Sequence, residues 1–141
     1  KNIVSTSNGD TIKIGVKDQC GHNSLYNITE KFEEVKTITL KDLINDASDE
    51  NILLKLDCEG SEYDIILDSE KEDIDQINKI VMELHTDMHP IYKGKELIHD
   101  KLTELGFKLI EERPMFVWSY DANGNICEFY EMQLGNEVWE K

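Results

Sequence analysis

The chain has one arginine, Arg113, among its 141 residues. Guanidinium clusters are a usual grip on phosphate, and none is possible here. Positive charge is scarce throughout. Lysine and arginine total 15 against 30 aspartates and glutamates, for a formal net charge of −15. That balance repels a nucleic-acid backbone and an anionic membrane surface alike, so neither is expected as a partner. The three cysteines, Cys20, Cys58 and Cys127, are odd in number and widely spaced, with no CxxC pair. No disulfide framework or zinc knuckle follows, and a reducing, cytoplasmic setting is expected. No apolar run reaches the length of a membrane span, and no signal peptide opens the chain. The glycines never fall as GxGxxG, so a dinucleotide-type loop is absent from the sequence. The first residue is Lys1 rather than methionine, which suits a piece of a longer protein.

What is present suits one domain. The hydrophobic share of 39% is modest but enough for a core. Around Asn8-Gly9, "IVSTSNGDTIKIGV" predicts a β-hairpin, because both turn residues accept positive φ. The polar stretch "KDQCGHNSLYNITEK" reads as a surface loop. "EEVKTITL" predicts a strand, and "TLKDLINDAS" a helix capped by Thr39 with Leu40, Leu43, Ile44 and Ala47 inside. "NILLKLD" is nearly continuous in apolar residues, the mark of a strand buried on both faces. A helix is expected from Ser61, with Tyr63, Ile66 and Leu67 on one side. An acidic stretch then leads to a second apolar strand, "KIVMELH". The helix "KGKELIHDKLTELGF" has Leu97, Ile98, Leu102 and Leu105 as its inner stripe, with Gly106 ending it. "FKLIEE" reads as a strand, and the tail as a hairpin turning at Asn123-Gly124. Alternating strands and helices imply an α/β fold with a mostly parallel sheet and an antiparallel terminal hairpin.

In such sheets ligands bind beyond the C-terminal strand ends. Two ends carry polar groups here, Asp57-Cys58-Glu59-Gly60 and Glu83-Leu84-His85. A carboxylate beside a histidine can hold and deprotonate a hydroxyl. The plainer reading of Asp57 and Glu59 is charge at a helix N-terminus, which Ser61 and Glu62 share. Gly60 reads as a turn or close-packing requirement. His22 and His89 read as solvated loop residues and His99 as a surface residue of its helix. Cys58 points toward the core in strand alternation, with no base to activate it. His85, Asp87 and His89 lack a defined ligand spacing, so no metal site is assigned.

The blocks "VKTITLKDLI", "LLKLDCEGSEYDIIL" and "INKIVMELH" resemble the FkbM family of S-adenosylmethionine-dependent methyltransferases. The family pattern has a "tLddll" segment, then "KiDvEGaE.evL", then a strand ending in glutamate with a histidine nearby. Matching positions are Thr39, Leu40, Asp42 and Leu43; Lys55, Asp57, Glu59, Gly60, Glu62 and Leu67; and Glu83 and His85. The early "SNGDTIKI…NSLY" is similar to a family insert. Cys58 departs from the pattern, which usually has an aliphatic residue there.

The resemblance implies a Rossmann-like class I methyltransferase sheet of seven strands. This chain would supply its C-terminal portion, from the fourth strand to the antiparallel seventh. It also implies S-adenosylmethionine as cofactor and a small-molecule or sugar hydroxyl as acceptor. Asp57, Glu59, Glu83 and His85 would be the site, with Asp57 and Glu59 toward the cofactor. Residues 1–141 would form one partial domain, with 1–30 a hairpin and loop insert and 33–141 the α/β core. The exposed edge of "NILLKLD" should then be covered by the N-terminal hairpin, a second copy of the chain, or a preceding half-domain. Two rival readings stand beside this one. The first is a non-catalytic half-domain that binds a partner protein. The second is a metal-dependent hydrolase using Asp57, Glu59, His85 and Asp87.

Overall fold

Eleven elements follow one another in the computed structural model, which describes residues 2–4, 8–16, 25–26, 31–47, 51–120 and 126–141. They are β1 (Asn2–Val4), β2 (Thr11–Gly15), β3 (Phe32–Ile38), α1 (Leu40–Asn45), β4 (Ile52–Leu56), α2 (Glu62–Leu67), α3 (Lys71–Ile74), β5 (Ile77–His85), α4 (Glu96–Glu104), β6 (Lys108–Tyr120) and β7 (Ile126–Glu140). The fold is mixed α/β, with two open sheets in the orders β1-β3-β2 and β4-β5-β7-β6.

Local chemistry accounts for most boundaries. Thr39 is extended and its Oγ1 accepts from the Asp42 amide, so α1 begins where a cap was expected. Leu40 and Ile44 are buried, but Leu43 and Ala47 are exposed, so the inner stripe is narrower than the sequence suggests. At the end of α4, Gly106 takes φ +93 and the Phe107 amide reaches back to the Leu102 carbonyl at 2.9 Å, a Schellman close. Ile98, Leu102 and Leu105 face the core, whereas Leu97 is exposed. Helix α3 was not expected from the sequence. It is one turn long, opened by a reciprocal Glu70–Asp73 capping box, and it buries Ile74.

Several expectations about the sheets are corrected. The strands flanking Asn8-Gly9 do not pair with each other. β3 lies between them, parallel to β1 and antiparallel to β2. The pairing of the larger sheet is not mostly parallel. The parallel β4–β5 ladder is joined to antiparallel β5–β7 and β7–β6 ladders. The strand expected at "FKLIEE" is not separate from the terminal hairpin: both lie in β6, which pairs with β7, and the expected turn at Asn123-Gly124 lies outside the described residues. β4 is not buried on both faces. Leu53 is 58% exposed while Leu56 is 3% exposed, because β4 is an edge strand covered on one side. Of the stretch expected to be a surface loop, residues 17–24 and 27–30 lie outside the described set.

The core gathers α2, α4, β5 and the end of β7. Ile66, Ile80, Ile98 and Leu102 are fully buried, with Met82, Phe107 and Trp139 around them. The register pairs Leu56 with Met82, so the C-terminal ends of β4 and β5 lie side by side. That adjacency brings together the two polar strand ends.

Candidate functional site

The chain leaves β4 through a tight turn that no ordinary L-residue backbone favours. Glu59 has φ +53 and Gly60 φ +101, and the Ser61 amide closes the turn on the Cys58 carbonyl at 3.2 Å. Glycine is required at position 60 for a second reason. A Cβ there would lie 3.1 Å from both the Met88 Cβ and the His89 amide nitrogen. The β4–α2 turn therefore rests directly on the loop that follows β5.

This reversal aims Glu62, the first residue of α2, back at the strand end. Its side chain is fully buried. It accepts from the Cys58 amide at 2.6 Å and from the Gly60 amide at 2.9 Å. Its third partner is His85 Nδ1, at 3.0 Å. A buried carboxylate that already accepts two amides is a hydrogen-bond acceptor, so Nδ1 donates. Nε2 is then the nitrogen turned toward the crevice, with Glu59 Oε2 at 3.7 Å and Glu83 Oε1 at 4.0 Å. Burial disfavours the imidazolium. The Glu62 hydrogen bond and the charges of Glu62, Glu59 and Glu83 outweigh it, so His85 titrates above the ordinary histidine value.

The structure thus brings together all four expected site residues. Asp57 stands at the mouth, exposed and paired with Lys55 at 3.1 Å. Donor atoms of Asp57, Glu83 and His85 lie within 4.8 Å of one another. Glu62 is the member that sequence reasoning passed over. It matched the family pattern, but it was read only as charge at a helix start.

Three other expectations are revised. His89 is not solvated. It is buried, with Nδ1 accepting from the Ile91 and Tyr92 amides and Nε2 donating to Asp64 Oδ1 at 3.1 Å. The Tyr26 hydroxyl donates to the same Asp64, and burial followed by that carboxylate raises its phenol well above the tyrosine range. His99 is half-buried rather than at the surface, 2.7 Å from Glu137 Oε1 and edge-on to Trp139. Asp87 and His89 do not join His85 in a ligand group among the described residues. His22 lies outside them. The inert reading of Cys58 is supported by its environment. It packs against the core, and burial, then the Glu62 charge, pushes its thiol up to about 11.

Beside the outer edge of β4 lies a cavity of about 380 Å³, lined by Val4, Ile14, Leu43, Leu54, Leu56 and Asp57 among others. It separates β4 from the small sheet, so no strand covers that edge among the described residues. No helix among those residues is long and apolar enough to cross a membrane.

The methyltransferase FkbM domain matches residues 3–109 of the chain. That span runs from within β1 to the start of β6 and includes every residue of the crevice. No curated protein matches, and no solved structure does. The chain belongs to the FkbM methyltransferase domain family.

Proposed function

We propose that this FkbM-domain protein takes part in S-adenosylmethionine-dependent O-methylation of a small-molecule or sugar hydroxyl. The observation that carries the reading is the imidazole of His85, held by buried Glu62 and facing Asp57, Glu59 and Glu83 at adjoining strand ends. The strand arrangement supports it too. β4 and β5 run parallel, and β7 runs antiparallel beside them, as the fourth, fifth and seventh strands of a class I sheet would.

The donor set suits the cofactor's charge. S-adenosylmethionine, when bound, supplies an electrophilic methyl group on a positively charged sulfonium. Asp57 and Glu59 put negative charge where that cation is drawn. Glu83 and His85 would orient the acceptor hydroxyl and take its proton, the methyl carbon exchanging its bond to sulfur for one to that oxygen and leaving a neutral thioether. Glu62 keeps the ring in place and leaves Nε2 toward the acceptor. A cytoplasmic setting, no nucleic-acid or membrane partner, and pairing of the β4 edge with a second copy or a further segment complete the reading.

The test is transfer of labelled methyl from S-adenosylmethionine to a panel of sugar and polyketide hydroxyls. Wild type, Asp57→Ala and His85→Ala are compared. Loss of a general base costs roughly 10²–10⁴-fold in rate, and that loss is expected in His85→Ala. Unchanged turnover in both variants would sink the assignment.

A non-catalytic interaction module is the second reading, favoured by the lack of a glycine-rich loop in these 141 residues. Calorimetry with S-adenosylmethionine, on this chain and on a longer one, separates the two. Saturable binding by the longer chain favours the enzyme, and binding by neither favours the module.

A further inference from the structure

Carboxylates outnumber cations in the crevice. Among the described residues, Asp57, Glu62 and Glu83 converge on it, and the cationic groups paired with these three are Lys55 and the His85 ring. Lys55 is an exposed chain pairing with Asp57 from the outside, and such surface pairs are weak. The lone arginine is committed to Glu111.

Imidazole geometry adds a second, independent sign. The His85 side chain is only 4% exposed, yet among the described residues its Nε2 makes no hydrogen bond. Its nearest carboxylate oxygens stand at 3.7 and 4.0 Å, beyond hydrogen-bonding reach. The opposite nitrogen is tied to a buried carboxylate. Metal-ligating histidines are held in this way, because the carboxylate fixes the tautomer and makes the other nitrogen a better donor.

We propose that Asp57, Glu83 and His85 Nε2 form a binding site for a divalent cation of the Mn²⁺ type. Two carboxylates and one imidazole give a mixed oxygen–nitrogen set, too hard for a thiophilic ion and suited to one that keeps several waters. Bonds of about 2.1 Å put neighbouring donors of a six-coordinate ion about 3 Å apart. The donors, now within 4.8 Å of one another, close by about 1–2 Å on binding, and the exposed Asp57 side chain is free to make most of that move. Glu62 is the positioning residue. The remaining positions of the cation take water; cation and proton compete for the same Nε2, so His85 acts as a base in the cation-free form. The site shares its crevice with the methyltransferase reading but does not depend on methyl transfer.

The test is calorimetric titration of chelator-stripped protein with MnCl₂ near physiological salt, with electron paramagnetic resonance of free Mn²⁺ as an independent count. One saturable site is expected. Asp57→Asn and His85→Gln should each weaken it by at least about tenfold, and Glu62→Gln by about 10–100-fold. Asp57 is exposed, so its variant keeps the fold even where the His85 variant does not. Asp68→Asn is the control, since Asp68 lines a separate acidic cavity beside Asp64 and Asp73. It should bind as wild type does. The proposal is overturned by the absence of saturable binding. It is equally overturned if Asp57→Asn binds like wild type, or if Asp68→Asn loses as much as Asp57→Asn. Methyl transfer that persists in protein binding no Mn²⁺ removes this site and leaves the methyltransferase reading standing.

Discussion

Two buried carboxylates in this protein each hold a histidine. Glu62 holds His85 at 3.0 Å and Glu137 holds His99 at 2.7 Å. Both carboxylates are essentially inaccessible, at 0% and 1% exposure. Their surroundings differ. Glu137 sits on β7 and spends its second oxygen on the Trp139 indole N–H at 2.8 Å. His99 stands edge-on to that same indole, so the cluster closes on itself. Glu62 spends its oxygens on two amides of a strained turn, and its histidine looks out on further carboxylates. A carboxylate–histidine pair is therefore not a site by itself. What the imidazole's other nitrogen faces makes the difference.

Removing each carboxylate should expose that contrast most strongly. Glu62→Ala leaves the Cys58 and Gly60 amides and a buried imidazole without their acceptor. A loss of roughly 3–5 kcal/mol in urea unfolding is expected. Glu137→Ala orphans the Trp139 indole, but His99 is 21% exposed and can turn to water. About 1–3 kcal/mol is expected there. Methyl transfer should vanish in the first variant and survive in the second. Equal stability losses, or transfer lost in both, would erase the distinction.

The turn beneath Glu62 gives the next comparison. Gly60 and Gly106 both have positive φ, +101 and +93. Only Gly60 is also crowded, by Met88 and His89, whereas a Cβ at Gly106 meets nothing within 4 Å. Gly106→Ala should cost about 1–2 kcal/mol, from backbone handedness alone. Gly60→Ala adds a clash with backbone that cannot give, for about 2–4 kcal/mol in total. Thermal melts of the two variants side by side measure the difference. Equal melting temperatures would show that contact with the post-β5 loop is not what fixes the turn.

That turn also marks where the sequence stops being legible. Elements set by local chemistry could be read directly: the Thr39 cap, the β4 and β5 strands, the Gly106 stop and the β6–β7 hairpin. Asp57, Glu59, Glu83 and His85 could be named because they end strands that turned out to be neighbours. Glu62 could not be ranked among them. Its importance comes from positive φ at two successive residues, Glu59 and Gly60, which point it back toward the strand end. A carboxylate two residues past a glycine looks like any acidic helix start until that reversal is seen. The β1-β3-β2 order was hidden for a similar reason. An Asn-Gly turn predicts a local pairing, and the longer-range partner β3 took the place between the two strands. His89 was misplaced because a loop position implies solvent, whereas its ring is enclosed by Tyr26, Tyr63 and Tyr92.

The smallest effect is in pH, where opposing causes partly cancel. Burial lowers the His85 pKa, but the Glu62 hydrogen bond and three carboxylate charges raise it by more. A histidine raised on folding binds its proton more tightly in the native state. Its contribution to stability is therefore full below the unfolded value of about 6.5 and fades as pH rises through the folded value. In chelator-treated protein, the stability gap between wild type and His85→Gln should narrow as pH climbs from the unfolded value of about 6.5 through the raised folded value. The ring's proton resonance should titrate above the ordinary midpoint. Glu62→Gln removes the largest raising cause and leaves burial in place, so its His85 should titrate lower than the wild-type ring. A gap that is flat with pH, or an unchanged midpoint in Glu62→Gln, would mean that the Glu62 hydrogen bond is not what raises the His85 titration.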